Sequence, residues 1–200
     1  GVKINDSAMI YFHNDINNAY MQEYAENTNV LETEILNTYF NLRVLQTDCV
    51  PIKENVLIKS YKLMNESNID FDLNFLVYSE VFSNLNNDTC GYFKNDTLIQ
   101  YNHDYSVCTF AKEIPNSVQI NGVQNNIMEG TIGGKDYIGM SSNSAISYNF
   151  KIPAGKSASI AIYIYINDNN SKCLLNELDN EIERFRKLDI KKELEDTKKY

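Results

Sequence analysis

The chain has 200 residues and a mass of 23.0 kDa, with 43% hydrophobic and 22% charged residues, enough for one large domain with its own core and too apolar for wholesale disorder. A net charge of −9 and a pI near 4.7 repel phosphate, which argues against nucleic acid and anionic membranes as partners and leaves neutral partners such as sugars open. No run approaches the ~18 consecutive apolar residues of a membrane span.

From residue 1 to about 170 the hydrophobic period is two, which predicts strands. In chain order they are expected at 9–12, 19–24, 30–36, 39–47 and 56–64. The clearest alternation follows, with Ile69, Phe71, Leu73, Phe75 and Val77 separated by polar residues. The polar link Asn65-Glu66-Ser67-Asn68 predicts that this run and the one before it form an antiparallel hairpin. Further strands are expected at 97–101, 107–111, 118–120, 137–140, 146–152 and 157–166. In the last of these, Ala158, Ile160, Ile162, Ile164 and Ile166 share one face, and Ala161, Tyr163 and Tyr165 lie on the other. That pattern predicts a strand buried on both sides. Pro153-Ala154-Gly155 is the turn before it. Ten or more short strands with no helix between them predict an all-β, antiparallel two-layer sandwich over residues 1–170.

The pattern changes after Asn170. Leu175, Leu178, Ile182, Phe185 and Leu188 recur at three- and four-residue spacing among charged residues, which predicts one amphipathic helix from about Lys172 to near the end. Asn170 or Ser171 can cap it, and Glu183 with Lys187 fits an i, i+4 pair. Residues 171–200 therefore read as a linker helix cut short of a further domain. Leu178, Ile182 and Phe185 are its candidate interdomain packing residues.

Four cysteines (Cys49, Cys90, Cys108 and Cys173) lie outside any C-x-x-C pair, and there are only two histidines, so no metal site is expected. Sparse thiols and acidic charge point to the cytoplasm. The start at Gly1, with no charged-then-apolar leader, reads as trimmed. Asparagine is abundant in apparent turns, where it tolerates left-handed backbone. The sequons at Asn5, Asn65, Asn87, Asn95 and Asn169 read as products of that abundance.

Candidate chemistry is thin. His13 and His103, with Asp104, Glu113 and Glu129 as nearby acids, are the residue types a sugar epimerase uses to move a proton; the competing reading is two surface histidines in loops. The stretch Glu129-Gly130-Thr131-Ile132-Gly133-Gly134-Lys135-Asp136 has the wrong spacing for a phosphate loop and reads as a hairpin loop. With 14 Tyr, 9 Phe and no Trp, most rings are expected in the core, and a sugar-stacking surface of tyrosines is the alternative. Acids such as Glu23, Glu26, Glu32 and Glu34 are plentiful, yet nothing pairs two of them across a cleft as glycoside cleavage requires. No catalytic residue and no cofactor is assigned.

The order of segments carries a resemblance. Asn29-Val30-Leu31-Glu32-Thr33 is followed by Thr47-Asp48-Cys49-Val50-Pro51, then by 56–65 ending in Asn65, then by 72–79, with Leu98-Ile99-Gln100-Tyr101-Asn102-His103-Asp104 later. This resembles the N-terminal β-domain of bacterial glucoamylase-type enzymes, glycoside hydrolase family 15, over most of residues 9–170. The resemblance implies a supersandwich related to galactose mutarotase, then a linker, then an (α/α)6 barrel beyond Tyr200 that holds the catalytic glutamates. It further implies that this domain is non-catalytic and supports that barrel in the same chain. Its parent would act on α-glucosides, α-glucans or oligosaccharides. The alternatives are an autonomous carbohydrate-binding module and a mutarotase-like epimerase.

Overall fold

The computed structural model describes residues 1–81, 89–102, 105–133, 138–140, 143–168 and 175–199. The strands run β1 (Val2–Ile4), β2 (Met9–Ile10), β3 (Asn18–Tyr24), β4 (Leu31–Asn37), β5 (Leu42–Cys49), β6 (Val56–Asn65) and β7 (Phe71–Glu80). They continue with β8 (Cys90–Lys94), β9 (Thr97–Tyr101), β10 (Tyr105–Phe110) and β11 (Ser117–Ile120). A short helix α1 (Val123–Met128) precedes β12 (Ile138–Met140), β13 (Asn143–Ile152) and β14 (Ser157–Asp168). Helices α2 (Leu175–Arg186) and α3 (Ile190–Lys198) follow.

All the pairings are antiparallel, in two stacked sheets: a five-stranded one in the order β11-β13-β7-β1-β2 and a nine-stranded one in the order β12-β8-β9-β10-β14-β6-β5-β4-β3. The expected antiparallel two-layer supersandwich is what the chain forms. Period-two alternation builds its core. Phe71, Leu73 and Phe75 of β7 and Ile146, Tyr148 and Ile152 of β13 face Tyr61 and Leu63 of β6 and Ile160 and Ile162 of β14. Strand β14 is buried on both faces, as its sequence predicts. Ile160 and Ile162 enter this core, while Ala161, Tyr163 and Tyr165 join a second one on the outer side of the nine-stranded sheet.

The expected hairpin at Asn65-Glu66-Ser67-Asn68 does not form. Strand β6 pairs with β5 and β14 in one sheet, and β7 pairs with β1 and β13 in the other, so the link is a corner that carries the chain between sheets. Alternation in two neighbouring runs shows that each has a core face; it does not show that they share a ladder. The turn Pro153-Ala154-Gly155 makes the same crossing from β13 to β14, with Gly155 in the left-handed region at φ +68°.

Asn65 ties the two corners together. Its side-chain N–H groups donate to the carbonyls of Ile69 (2.7 Å) and Ile152 (2.9 Å), and its Oδ1 accepts from the Ser67 hydroxyl (2.7 Å) and amide (3.0 Å). Its backbone exchanges bonds with Lys156 and Gly155, both 2.9 Å. At 1% exposure, with its amide nitrogen engaged, this sequon is closed to glycosylation in the folded protein. The other role expected of asparagine holds too: Asn5, Asn27, Asn41, Asn95 and Asn121 all adopt positive φ.

Strands β1 and β8 and helix α1 lie where the sequence pattern predicted none. The first is three residues long, the second interrupts its apolar run with Gly91, and α1 has six residues, all too short for a period to register. The single C-terminal helix is two. Asp189 breaks it by capping α3, accepting from the amides of Lys191 (3.1 Å) and Lys192 (3.3 Å).

Replacing Asn65 by alanine takes a donor from the buried Ile152 carbonyl and from the Ile69 carbonyl, which the Ser67 hydroxyl also serves, so Asn65→Ala is expected to destabilise the chain by about 1–3 kcal/mol. Asn65→Asp keeps the acceptor, loses both donors and buries a charge, and should cost at least as much. Urea unfolding at unchanged m-value is the check, and a loss under ~0.5 kcal/mol for both would remove the corner from the stability account.

Candidate functional site

Strand β3 edges the nine-stranded sheet and is exposed along residues 19–24. The inner face of β3–β5 is therefore only partly roofed, by the segment that follows β2. There Phe12, His13, Tyr20, Gln22, Thr33, Ile35 and Gln46 line a groove of about 350 Å³. Register explains the lining. Gln22 opposes Thr33, Thr33 opposes Gln46, and Gln46 opposes Tyr61, forming one row across four strands. Tyr20 and Ile35 oppose each other one pleat along.

The row is hydrogen-bonded within itself. Gln22 Nε2 donates to Thr33 Oγ1 (2.8 Å), and Gln46 Nε2 donates to both oxygens of Asp48 (2.9 and 2.8 Å). Asp48 also binds Lys59 Nζ at 2.6 Å. The Tyr20 hydroxyl accepts from Asn18 Nδ2 (3.0 Å) and the Asp15 amide (3.5 Å), which fixes a ring that is 48% exposed. Phe12 packs on Tyr61 and Phe75, each at 6.1 Å, and His13 meets Tyr11 edge-on at 5.9 Å. Burial, with the Asp48 charge behind it, holds the Tyr61 phenol well above its ordinary pKa, so Tyr61 stays neutral.

Of the candidate residues from sequence, His13 alone reaches this groove. His103, Asp104, Gly134, Lys135 and Asp136 lie outside the described residues. The groove lining has one imidazole and no carboxylate, so it assembles no acid–base pair. Glu113 and Glu129 are exposed and do not line this groove. Glu32 and Glu34 share the outer sheet face, where they pair with Lys198 and Arg43. The described part of the glycine stretch, residues 129–133, follows α1 and is not at a helix N-terminus. Among the described residues no cluster of three metal-ligating side chains occurs, and no described helix is long and apolar enough to cross a membrane. Gln22, Thr33 and Gln46 were missed as site candidates because their juxtaposition is set by register, which sequence alone does not display.

No family model matches the chain. It is 26% identical over 155 residues to an uncharacterized glycosyl hydrolase of Methanocaldococcus jannaschii, spanning 72% of this chain and 24% of that protein. Among solved structures, a bacterial glucoamylase in complex with acarbose superposes with a TM-score of 0.64 at 14% identity, over 92% of this chain and 29% of that one. The chain shares the sandwich fold of the part of that glucoamylase on which it superposes. A candidate kojibiose phosphorylase from the human microbiome shares the fold at a TM-score of 0.56 and 11% identity, over 90% of this chain and 26% of that one. The chain thus spans about a quarter of the length of each of these proteins.

The helices form a third layer on the sandwich. Leu178 (3% exposed), Ile182 (2%) and Phe185 (0%), the candidate interdomain packing residues, are buried within the chain itself. They pack on the sandwich's own outer face, against Val56, Ile58, Cys108, Phe110, Tyr163 and Tyr165. That face is apolar enough to bury the stripe, and leaving it bare would cost more than ordering the helix. Tyr165 and Phe185 meet at 5.1 Å. Arg186 clamps the helix end, donating to the carbonyls of Ala111 (3.2 Å) and Asn95 (2.8 Å) and to Thr97 Oγ1 (3.1 Å). Lys94 pairs with Asp179 at 2.8 Å. Glu183 pairs with Arg186 at 2.6 Å in place of the expected Lys187.

Cys49 and Cys90 are free thiols, and Cys49 and Cys108 lie beneath the helices. Burial, with Asp48 and Glu193 adding to it, pushes the Cys49 thiol up to about 11 from 9.0. The raised value favours the neutral form in the folded state. Its contribution is therefore full below pH ~9 and is lost as pH rises through ~11. Thiol labelling read by mass should spare Cys49 and Cys108 in the folded chain at neutral pH. Phe185→Ala, a loss of about 3–5 kcal/mol if fully felt, should raise their labelling rates roughly a hundredfold. Unchanged rates would mean that the helices do not guard this face.

Proposed function

We propose that this chain is the non-catalytic N-terminal domain of a glycoside hydrolase acting on α-glucosides or α-glucans, supporting a helical catalytic barrel in the same polypeptide. One observation carries the reading: the chain matches a glucoamylase over 92% of its own length but only 29% of that enzyme's. The similarity to a glycosyl hydrolase, again over a quarter of that protein, supports it from sequence. Support would act through surfaces still uncovered. On the outer face, Met21 (58% exposed) and Leu45 (37%) flank Glu34 in one cross-strand row beyond the helices.

The test uses the parent reading frame with and without residues 1–200, beside the 200-residue chain alone. The chain alone is expected to release no reducing sugar from malto-oligosaccharides, and the parent to lose solubility or thermal stability when the domain is deleted. Sugar release by the isolated chain, or a parent frame that ends soon after Tyr200, overturns the reading.

A further inference from the structure

The groove on β3–β5 serves no purpose in a purely supporting domain, and its chemistry is selective. We propose that it is a binding site for a neutral saccharide of one or two pyranose units, with a ring face on Tyr20 and hydroxyls on Gln22, Thr33 and Gln46. The inference does not rest on the hydrolase reading: the groove could bind sugar whatever the parent enzyme does.

The polar groups are uncharged and regularly spaced. Gln22, Thr33 and Gln46 come from successive strands at one register position, and adjacent strands stand ~4.8 Å apart. Their internal bonds sort the capacity that remains. Gln22 and Gln46 spend an amide donor on Thr33 and Asp48, which leaves their carbonyl oxygens to accept. Thr33 accepts from Gln22, which leaves its hydroxyl hydrogen to donate. An alternating set of acceptors and a donor suits vicinal hydroxyls, which both give and take hydrogen bonds.

The apolar component is equally specific. Tyr20 is half exposed, yet held by bonds to its hydroxyl, so its face is preorganised and little side-chain entropy is lost on stacking. Phe12, held between Tyr61 and Phe75, and Ile35 add apolar wall and floor. The volume of about 350 Å³ falls at the small end of the ~300–1,000 Å³ typical of ligand sites, which fits one or two rings and no polymer. Anions are disfavoured. Lys59, in the neighbouring cross-strand row, is spent on Asp48, and the chain carries −9 overall.

Titration of the 15N-labelled chain with glucose, maltose and glucose 6-phosphate reads the site directly, through the side-chain amide signals of Gln22 and Gln46 and the backbone signals of β3–β5. Glucose or maltose should shift these signals with a Kd of roughly millimolar order, and the phosphate ester should bind at least tenfold more weakly. Gln22→Leu, at an exposed position that the fold tolerates, and Thr33→Val should each weaken binding about tenfold, while Tyr20→Ala should abolish it. Absence of shifts at ~50 mM sugar, well above a millimolar Kd, overturns the proposal. So do shifts confined to residues outside the groove, equal binding of the phosphate ester, or full binding by Gln22→Leu.

Discussion

The structure depends on one strand being apolar on both faces. β14 pairs with β6 and β10 near the middle of the nine-stranded sheet, and each of its faces closes a different core. Ile160 and Ile162 meet the five-stranded sheet, and Ala161, Tyr163 and Tyr165 meet the helices. A polar residue at either set would leave a buried group to satisfy or open a layer to water. The third layer is therefore not an appendage. It covers an outer face that carries Phe110 and Tyr163 stacked at 5.2 Å and would otherwise be an exposed apolar sheet.

The unequal width of the sheets sets where function can sit. Five strands cannot roof nine, so at one end the inner face of β3–β5 meets solvent. Under the roof that face is apolar, with Val44 and Leu63 buried; beyond it the same face turns polar, with Thr33, Gln46 and Gln22. The change occurs along continuous strands, between neighbouring register positions. A flat polar ladder beside a fixed aromatic is what an uncovered sandwich face offers a small ligand.

Much of this was legible because period-two alternation reports burial directly. The strands at 97–101, 118–120 and 157–166, and the two-sided burial of β14, follow from which positions are apolar. Pairing partners did not follow. The Asn65 corner resembles a hairpin turn in sequence, since both need a short polar link between alternating runs; the difference lies in whether the runs hydrogen-bond to each other, a long-range matter. The stripe of Leu178, Ile182 and Phe185 likewise announced that a partner exists without naming it, and the partner is the chain's own outer face. Register hid the groove for the same reason: Gln22, Thr33 and Gln46 are eleven and thirteen residues apart and none is unusual alone.

The charge distribution completes the argument. Several carboxylates are engaged in structure: Glu34 and Glu66 with Arg43, Asp48 with Lys59, Glu54 and Glu181 with Arg184, Asp179 with Lys94. A general acid for glycoside cleavage needs a carboxyl whose proton is retained near neutral pH, which calls for an apolar pocket and no cation nearby. Each of these acids instead has a cation in contact. These carboxylates hold strands and helices together, and the lining of the groove on β3–β5 carries none.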